Sequence, residues 1–280
     1  MLDLKIVKQI EDFVSKKPRS MQDIAFMLKK NWRTADRYID YIKNNFGTIS
    51  TETFREGTRG ALKIAYWASI SDRKYSVFQE NLREQIELFK NKEDFSAFDI
   101  YQHIPDANKK ANIEIVKDEK STNIEELFDL ILTAKKQLLI FSGNLSFINF
   151  ENEKMSVLKI LDDLIKKNVS IKILCRVDIA GMENIENILS LNFKYGKESV
   201  EIRHIEQPLR AIIIDDKLFR MKEIKEPTGK KYELGKKTFI FYTVKDKEWV
   251  EWLSRIFWNL FSKSMDSKKR MEQIRKIISK

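Results

Sequence analysis

With one cysteine and two histidines in 280 residues, the sequence has little of the chemistry that disulfides and zinc sites need. Cys175 can form no intrachain disulfide, and with His103 and His204 it falls short of the four ligands of a tetrahedral Cys/His zinc site, so no metal or other cofactor is expected. Proline (4) and glycine (8) are scarce, which excludes collagen-like and Pro-rich low-complexity chains. Disorder is excluded as well, because 42% hydrophobic and 11% aromatic content is enough to build a core. No apolar run approaches the roughly 18 to 20 residues that cross a bilayer, and Met1-Leu2-Asp3-Leu4-Lys5 has neither a basic start nor an apolar stretch behind it. A folded cytoplasmic protein with no membrane partner is the expectation.

What the sequence does have is charge, unevenly placed. The formal net charge is +10. Residues 1–70 carry 13 Lys and Arg against 8 Asp and Glu, residues 262–280 carry 7 against 2, and the 191 residues between are balanced at 32 of each. A basic module on a neutral body points to a polyanion partner. The length suits one large domain or two smaller ones, since domains commonly run to about 100 to 200 residues.

Along the chain, Ile6, Ile10, Phe13 and Val14 fall at helical spacing and predict a helix over 4–15, ended by Lys16-Lys17-Pro18-Arg19. Ser20 and Asp23 form an acidic variant of the capping box, and the stripe Met21, Ile24, Ala25 and Leu28 predicts a short second helix. After Lys29 and Lys30, Asn31 is a good N-cap for a third helix ending near Asn45, with Ala35, Tyr38, Ile39 and Ile42 facing inward. Past Gly47 the apolar period changes to two. Ile49 and Thr51, then Arg55-Glu56-Gly57-Thr58-Arg59-Gly60, then Leu62, Ile64 and Tyr66 predict a hairpin with a Gly-rich tip. Phe78, Leu82, Ile86 and Phe89 predict a helix over 76–89 that links or dimerises.

From about residue 111, strands (112–116, 137–142, 169–177, 200–205, 209–214, 218–222, 238–243) alternate with helices (123–136, 154–167, 182–193). A Trp-rich helix at 247–262 and a basic amphipathic segment at 264–280 follow. This alternation indicates an α/β layer structure with a mixed sheet. The Trp-rich helix is apolar around most of its circumference, which predicts burial in the core and at a dimer interface.

The span 20–42 carries a helix-turn-helix pattern, and the hairpin completes a winged helix, whose third helix enters the major groove while the wing meets the backbone. Arg33 and Arg37, four apart and hence on one face, can each make a bidentate contact to guanine. Thr34 suits a thymine methyl or a phosphate, Trp32 lies on the same outward surface, and Lys29 and Lys30 precede the helix as phosphate clamps. Arg55 and Arg59 would serve the wing. The competing reading is a solvated face on which Asp36 and Asp40 neutralise the arginines.

In element order, over about residues 5–262, the chain resembles the TrmB-like archaeal transcriptional regulators, whose C-terminal domain has a phospholipase D-like fold. Pro208-Leu209-Arg210-Ala211-Ile212-Ile213-Ile214-Asp215 stands where active members of that superfamily carry His-x-Lys-x4-Asp. There one histidine attacks phosphorus and another protonates the leaving group. Here Pro208 occupies the histidine position, Arg210 the lysine position and Asp215 the aspartate position, and the alternative frame on His204 meets Glu206 and Ala211. Without the imidazole there is no activated nucleophile, so the chain is expected not to be an enzyme. Arg210 and Asp215 read either as ordinary residues on a strand and at its turn or, as the resemblance implies, as retained members of a pocket that binds a sugar-like effector. Asn144, Arg176 and Asp178 are candidate rim residues, since ligands of open α/β sheets gather beyond the carboxyl ends of strands. Phe147 and Phe150 could stack on a ring or pack in the core.

The whole reads as an α/β protein, α+β when both parts are taken together. A winged helix-turn-helix DNA-binding domain (1–70) is joined by a linking or dimerisation helix (71–110) to a catalytically inactive phospholipase D-like mixed-sheet domain (111–262) and a basic tail (263–280). The tail offers Lys268, Lys269, Arg270, Arg275 and Lys276 for solvation or for further phosphate contacts. The expected function is a homodimeric, sequence-specific regulator of transcription that binds double-stranded DNA and senses a small-molecule effector. An architectural protein that coats DNA without regard to sequence, and a winged helix that binds only protein, are the alternatives.

Overall fold

The computed structural model describes residues 2–55, 61–67, 76–115, 124–153, 155–227 and 236–278. The chain divides into two compact units, Met1–Lys74 and Tyr75–Lys280.

The first unit runs α1 (Leu4–Lys16), β1 (Arg19–Ser20), α2 (Met21–Met27), α3 (Trp32–Asn45), β2 (Ile49–Arg55) and β3 (Ala61–Trp67). The strands pair antiparallel in the order β1-β3-β2. This is the element order of a winged helix-turn-helix. Val7, Ile10 and Val14 of α1, Ile24 of α2 and Ile39 and Ile42 of α3 close one core, and the small Ala25 and Ala35 let α2 and α3 approach. Local chemistry sets the helix ends. Ser20 and Asp23 form the reciprocal capping box, and Asn31 accepts the Thr34 N–H at 2.9 Å. Between the two helices, Lys30 N–H reaches the Ala25 carbonyl at 2.9 Å while Lys29 sits at φ 51°, a Schellman closure with lysine in the left-handed position that glycine usually takes. The hairpin tip with Arg59 lies outside the described residues, as does the side chain of Arg55 at the end of β2.

The second unit contains α4 (Val77–Leu88), α5 (Ala97–Tyr101), β4 (Lys109–Ile115), α6 (Ile124–Leu132), β5 (Gln137–Phe141), α7 (Val157–Lys166), β6 (Ser170–Cys175) and α8 (Met182–Tyr195). It continues with β7 (Val200–His204), β8 (Ala211–Ile214), β9 (Leu218–Lys225), β10 (Thr238–Val244), α9 (Lys247–Lys263), β11 (Met265–Asp266) and α10 (Ser267–Ile278). Among the described residues these strands make one sheet, in the order β11-β7-β6-β5-β8-β9-β10-β4. β5, β6 and β7 are parallel and the remaining pairs antiparallel, so the sheet is mixed as expected. It is covered on both faces. Leu138 and Ile140 point to a core shared with α6, α7, α8 and α10, and Leu139 and Phe141 to a core shared with α4, α5 and α9. A strand buried on both sides needs an unbroken apolar run, which is why Gln137-Leu138-Leu139-Ile140-Phe141 was legible.

Two expected boundaries are corrected. The described part of the expected linker, 76–110, belongs to the second unit, because α4 buries Leu82 and Ile86 and α5 buries Ile100 in its core. The basic tail, as far as it is described (263–278), is built into the second unit. β11 pairs with β7, and α10 seats Met271 and Ile274 in the other core. The Trp-rich α9 is consumed inside its own unit, where Trp252, Leu253, Ile256 and Phe257 are buried. No described helix is long and apolar enough to cross a membrane.

Candidate nucleic-acid interface and the cavity of the second unit

Asn31 starts α3 so that its inward stripe Ala35-Ile39-Ile42 fixes the opposite face toward solvent. On that face Lys29, Lys30, Trp32, Arg33 and Arg37 are exposed and Thr34 is half-buried. The Arg33 guanidinium lies 5.8 Å from the Trp32 ring centroid, close enough for a cation–π contact. Asp36 and Asp40 do not neutralise the arginines. Both turn to Lys63 of β3, whose Nζ lies 2.5 Å from one and 3.2 Å from the other. Burial works against the Lys63 ammonium, yet the two carboxylates outweigh it and hold its pKa above the ordinary lysine value. Among the described residues, no carboxylate pairs with Arg33 or Arg37, and the outward face of α3 keeps its positive charge. Sequence reasoning missed Phe26, which is 88% exposed on α2. The available signal was its place outside the stripe Met21, Ile24, Ala25 and Leu28.

In the second unit a cavity of about 480 Å³ opens where β5 ends beside the start of its antiparallel neighbour β8. The carboxyl end of β5 contributes Ser142, Gly143 and Asn144, and the turn after it presents Phe147 and Phe150. Arg176 and Arg210, both expected there, line it, as do Arg220, Lys222 and Phe241, which sequence reasoning missed. Buried Gln207 fixes the mouth by donating to the Ser142 carbonyl at 3.0 Å and accepting from Leu209 N–H. Arg210 packs so tightly on Gly143 that a Cβ there would lie 2.7 Å from its Nη2. Burial, and then Arg176, pulls the Arg210 guanidinium below its ordinary pKa. Burial likewise pulls Lys222 down to about 8, with Glu114 opposing the shift and Lys237 and Lys92 adding to it.

Two expected rim residues are elsewhere. Asp215 is at the far end of β8 from the cavity, at φ 52° in the hairpin to β9, where its carboxylate accepts the N–H groups of Lys135, Lys136 and Gln137 at 2.7 to 3.0 Å. It pins the start of β5. Asp178 does not line the cavity either, because it caps the turn at Gly181 and holds the Arg176 Nε at 2.8 Å. His204 accepts the Val177 N–H through Nδ1, and His103 stacks on Phe78 with ring centroids 4.6 Å apart, so neither imidazole belongs to the cavity lining. Burial, with Asp178 adding, pushes the Cys175 thiol up to about 12, which makes it inert. Among the described residues, no cluster of His, Cys, Asp and Glu could hold a metal ion.

No family model and no curated protein matches this sequence. Among solved structures the chain is similar to the phospholipase D family member Nuc from Salmonella typhimurium, at 14% identity and a TM-score of 0.40, over 56% of this chain and 97% of that one. NucT from Helicobacter pylori is similar at 10% identity and a TM-score of 0.40, over 56% and 99% of the two chains. TrmBL2, an archaeal chromatin protein whose structure shows a novel mode of DNA binding, is similar over 95% of this chain and 94% of that chain, at 15% identity and a TM-score of 0.38.

Proposed function

We propose that the chain is a homodimeric, sequence-specific regulator of transcription that binds double-stranded DNA through α3. The observation that carries this reading is the outward face of α3, where Arg33 and Arg37 stand free of carboxylates because Asp36 and Asp40 are engaged by Lys63. Laid in the major groove, each arginine can bridge O6 and N7 of a guanine. Thr34, near the helix N-terminus, suits a thymine methyl or a phosphate, and Lys29 and Lys30 on the preceding turn suit the backbone. Arg55 and Arg59 would extend the contact along the wing. A dimer would read two half-sites about one helical turn, or a multiple of it, apart.

The second unit is proposed to be non-catalytic and to sense an effector in its cavity. Pro208 in place of a nucleophile supports the first point, and Asn144, Arg176 and Arg210 converging on one cavity support the second. An effector would act by binding forms with different wing separations with different affinity. Selection from a random duplex pool tests the DNA reading. The intact chain is expected to enrich one motif with inverted half-sites, and Arg37→Ala to weaken binding by about 1 to 3 kcal/mol and relax one base pair. Retention of duplex without any enriched motif would favour the architectural alternative, and no retention at low salt would overturn DNA binding. Incubation with a generic phosphodiester, with and without divalent metal, is expected to give no turnover.

A further inference from the structure

We propose that the cavity of the second unit takes a phosphate monoester, with the phosphoryl group between Arg210 and Lys222 and the organic part against Phe147 and Phe150. The inference rests on the reading of this cavity as an effector site and names the class of ligand.

The sheet register makes the charge arrangement unusual. Ala211 pairs with Met221, and the Lys222 N–H donates to the Arg210 carbonyl at 2.8 Å, so Arg210 and Lys222 are directly opposed and project to the same face. Opposed like charges repel, and each is largely withdrawn from water. Neither has a carboxylate at ion-pair distance among the described residues. The Arg210 Nη1 donates to the Leu209 carbonyl at 2.8 Å, and the Lys222 Nζ lies over the ring of Phe239, 3.4 Å from its centroid. Two residues along β9, Arg220 adds a further cation to the lining. It is 5% exposed and pairs with Glu126, but its Nε has no hydrogen-bond partner among the described residues. Glu93 is the acidic side chain among the lining residues. Proteins rarely bury cations without pairing them, and a bound anion would supply the missing partner.

A neutral sugar would desolvate these cations further and pair none of them. A phosphoryl dianion compensates both and accepts the planar guanidinium bidentately. The cavity volume suits a small metabolite rather than a bare ion, and the two phenylalanine rings give its organic part an apolar wall.

The test is thermal shift and calorimetry on the full chain at constant ionic strength, with inorganic phosphate, glucose 6-phosphate and glucose as probes. Phosphate and glucose 6-phosphate are expected to raise the melting temperature and glucose to leave it unchanged. Arg210→Gln and Lys222→Met should each weaken phosphate binding at least tenfold, while Arg33→Ala with Arg37→Ala should leave it intact. Gly143→Ala gives a milder arm, since the three atoms nearest its added methyl group all belong to the flexible Arg210 guanidinium, which must shift. Absence of any phosphate-dependent shift, or a shift that survives both cavity variants, would overturn the proposal. Binding of glucose without binding of either phosphate would overturn it while leaving the effector site standing. Phosphate binding in the cavity with no effect on DNA affinity would uphold the ligand class and sink the effector role.

Discussion

Two pairs of cations without carboxylates, one in each unit, sit in opposite environments. Arg33 and Arg37 on α3 are in water, where repulsion between unit charges even 4 Å apart is only about 1 kcal/mol. Arg210 and Lys222 are cross-strand neighbours at the mouth of a cavity, where the same repulsion is several times larger. The first pair is inexpensive to keep unpaired and stands ready for a large polyanion. The second is costly and suits a specific small anion. Counting charges would score the two sites alike, and burial separates them.

The comparison can be broken from either side. Arg33→Ala combined with Arg37→Ala should lower duplex affinity by roughly 100-fold or more and flatten the site preference, with the melting temperature unchanged. A fall in melting temperature of several degrees would show that the pair has a structural role. Lys222→Met should do the reverse, stabilising the ligand-free protein by about 1 to 2 kcal/mol in denaturant titrations because it removes a half-buried charge that opposes Arg210 and has no ion-pair partner among the described residues.

The same substitution has a pH signature. Lys222 titrates near 8 in the fold against an ordinary 10.5, so between those values the unfolded chain holds a proton that the native chain has shed. Wild-type stability should therefore gain on that of the variant as pH rises from 8 to 10.5, with Glu114, Lys92 and Lys237 facing the group. An advantage of the variant that stays constant across this range would contradict the assignment.

Lys29→Gly sharpens the first half of the comparison. It should stabilise the first unit by about 1 kcal/mol, since glycine occupies the left-handed region without strain, and at the same time weaken DNA binding by removing a phosphate clamp. Smallest is Lys63→Ala, which frees Asp36 and Asp40 to screen the arginines and should lower duplex affinity a few-fold, about 0.5 to 1 kcal/mol, as read by fluorescence anisotropy.

Much of the fold was legible because its signals are local. The capping box at Ser20, the N-cap at Asn31 and the period-two run at Ile49 each act within a few residues, and the observed elements begin and end close to the expected ones. The α3 face followed from the same periodicity. The pairing of Asp36 and Asp40 with Lys63 did not, because it joins residues 23 to 27 apart in sequence through the packing of α3 on the sheet. In the cavity, Asn144, Arg176 and Arg210 were reachable from the rule that ligands gather at strand ends. Lys222 and Arg220 were missed because only the antiparallel register of β8 and β9 brings them beside Arg210. Their alternation with Phe219 and Met221, in a sheet covered on both faces, was the available signal. Asp215 was misplaced because the motif comparison gave its position in a sequence pattern and not the end of the strand on which it lies.

The division of labour between the two cation pairs can be read in one hydrogen-exchange experiment, with mass-spectrometric detection, on the full chain with duplex DNA and separately with glucose 6-phosphate. Duplex should slow exchange chiefly at residues 29–45 and far less at 142–150 and 207–224, and the sugar phosphate should do the opposite. Protection of the cavity segments by duplex, with α3 exchanging as freely as before, would contradict the account.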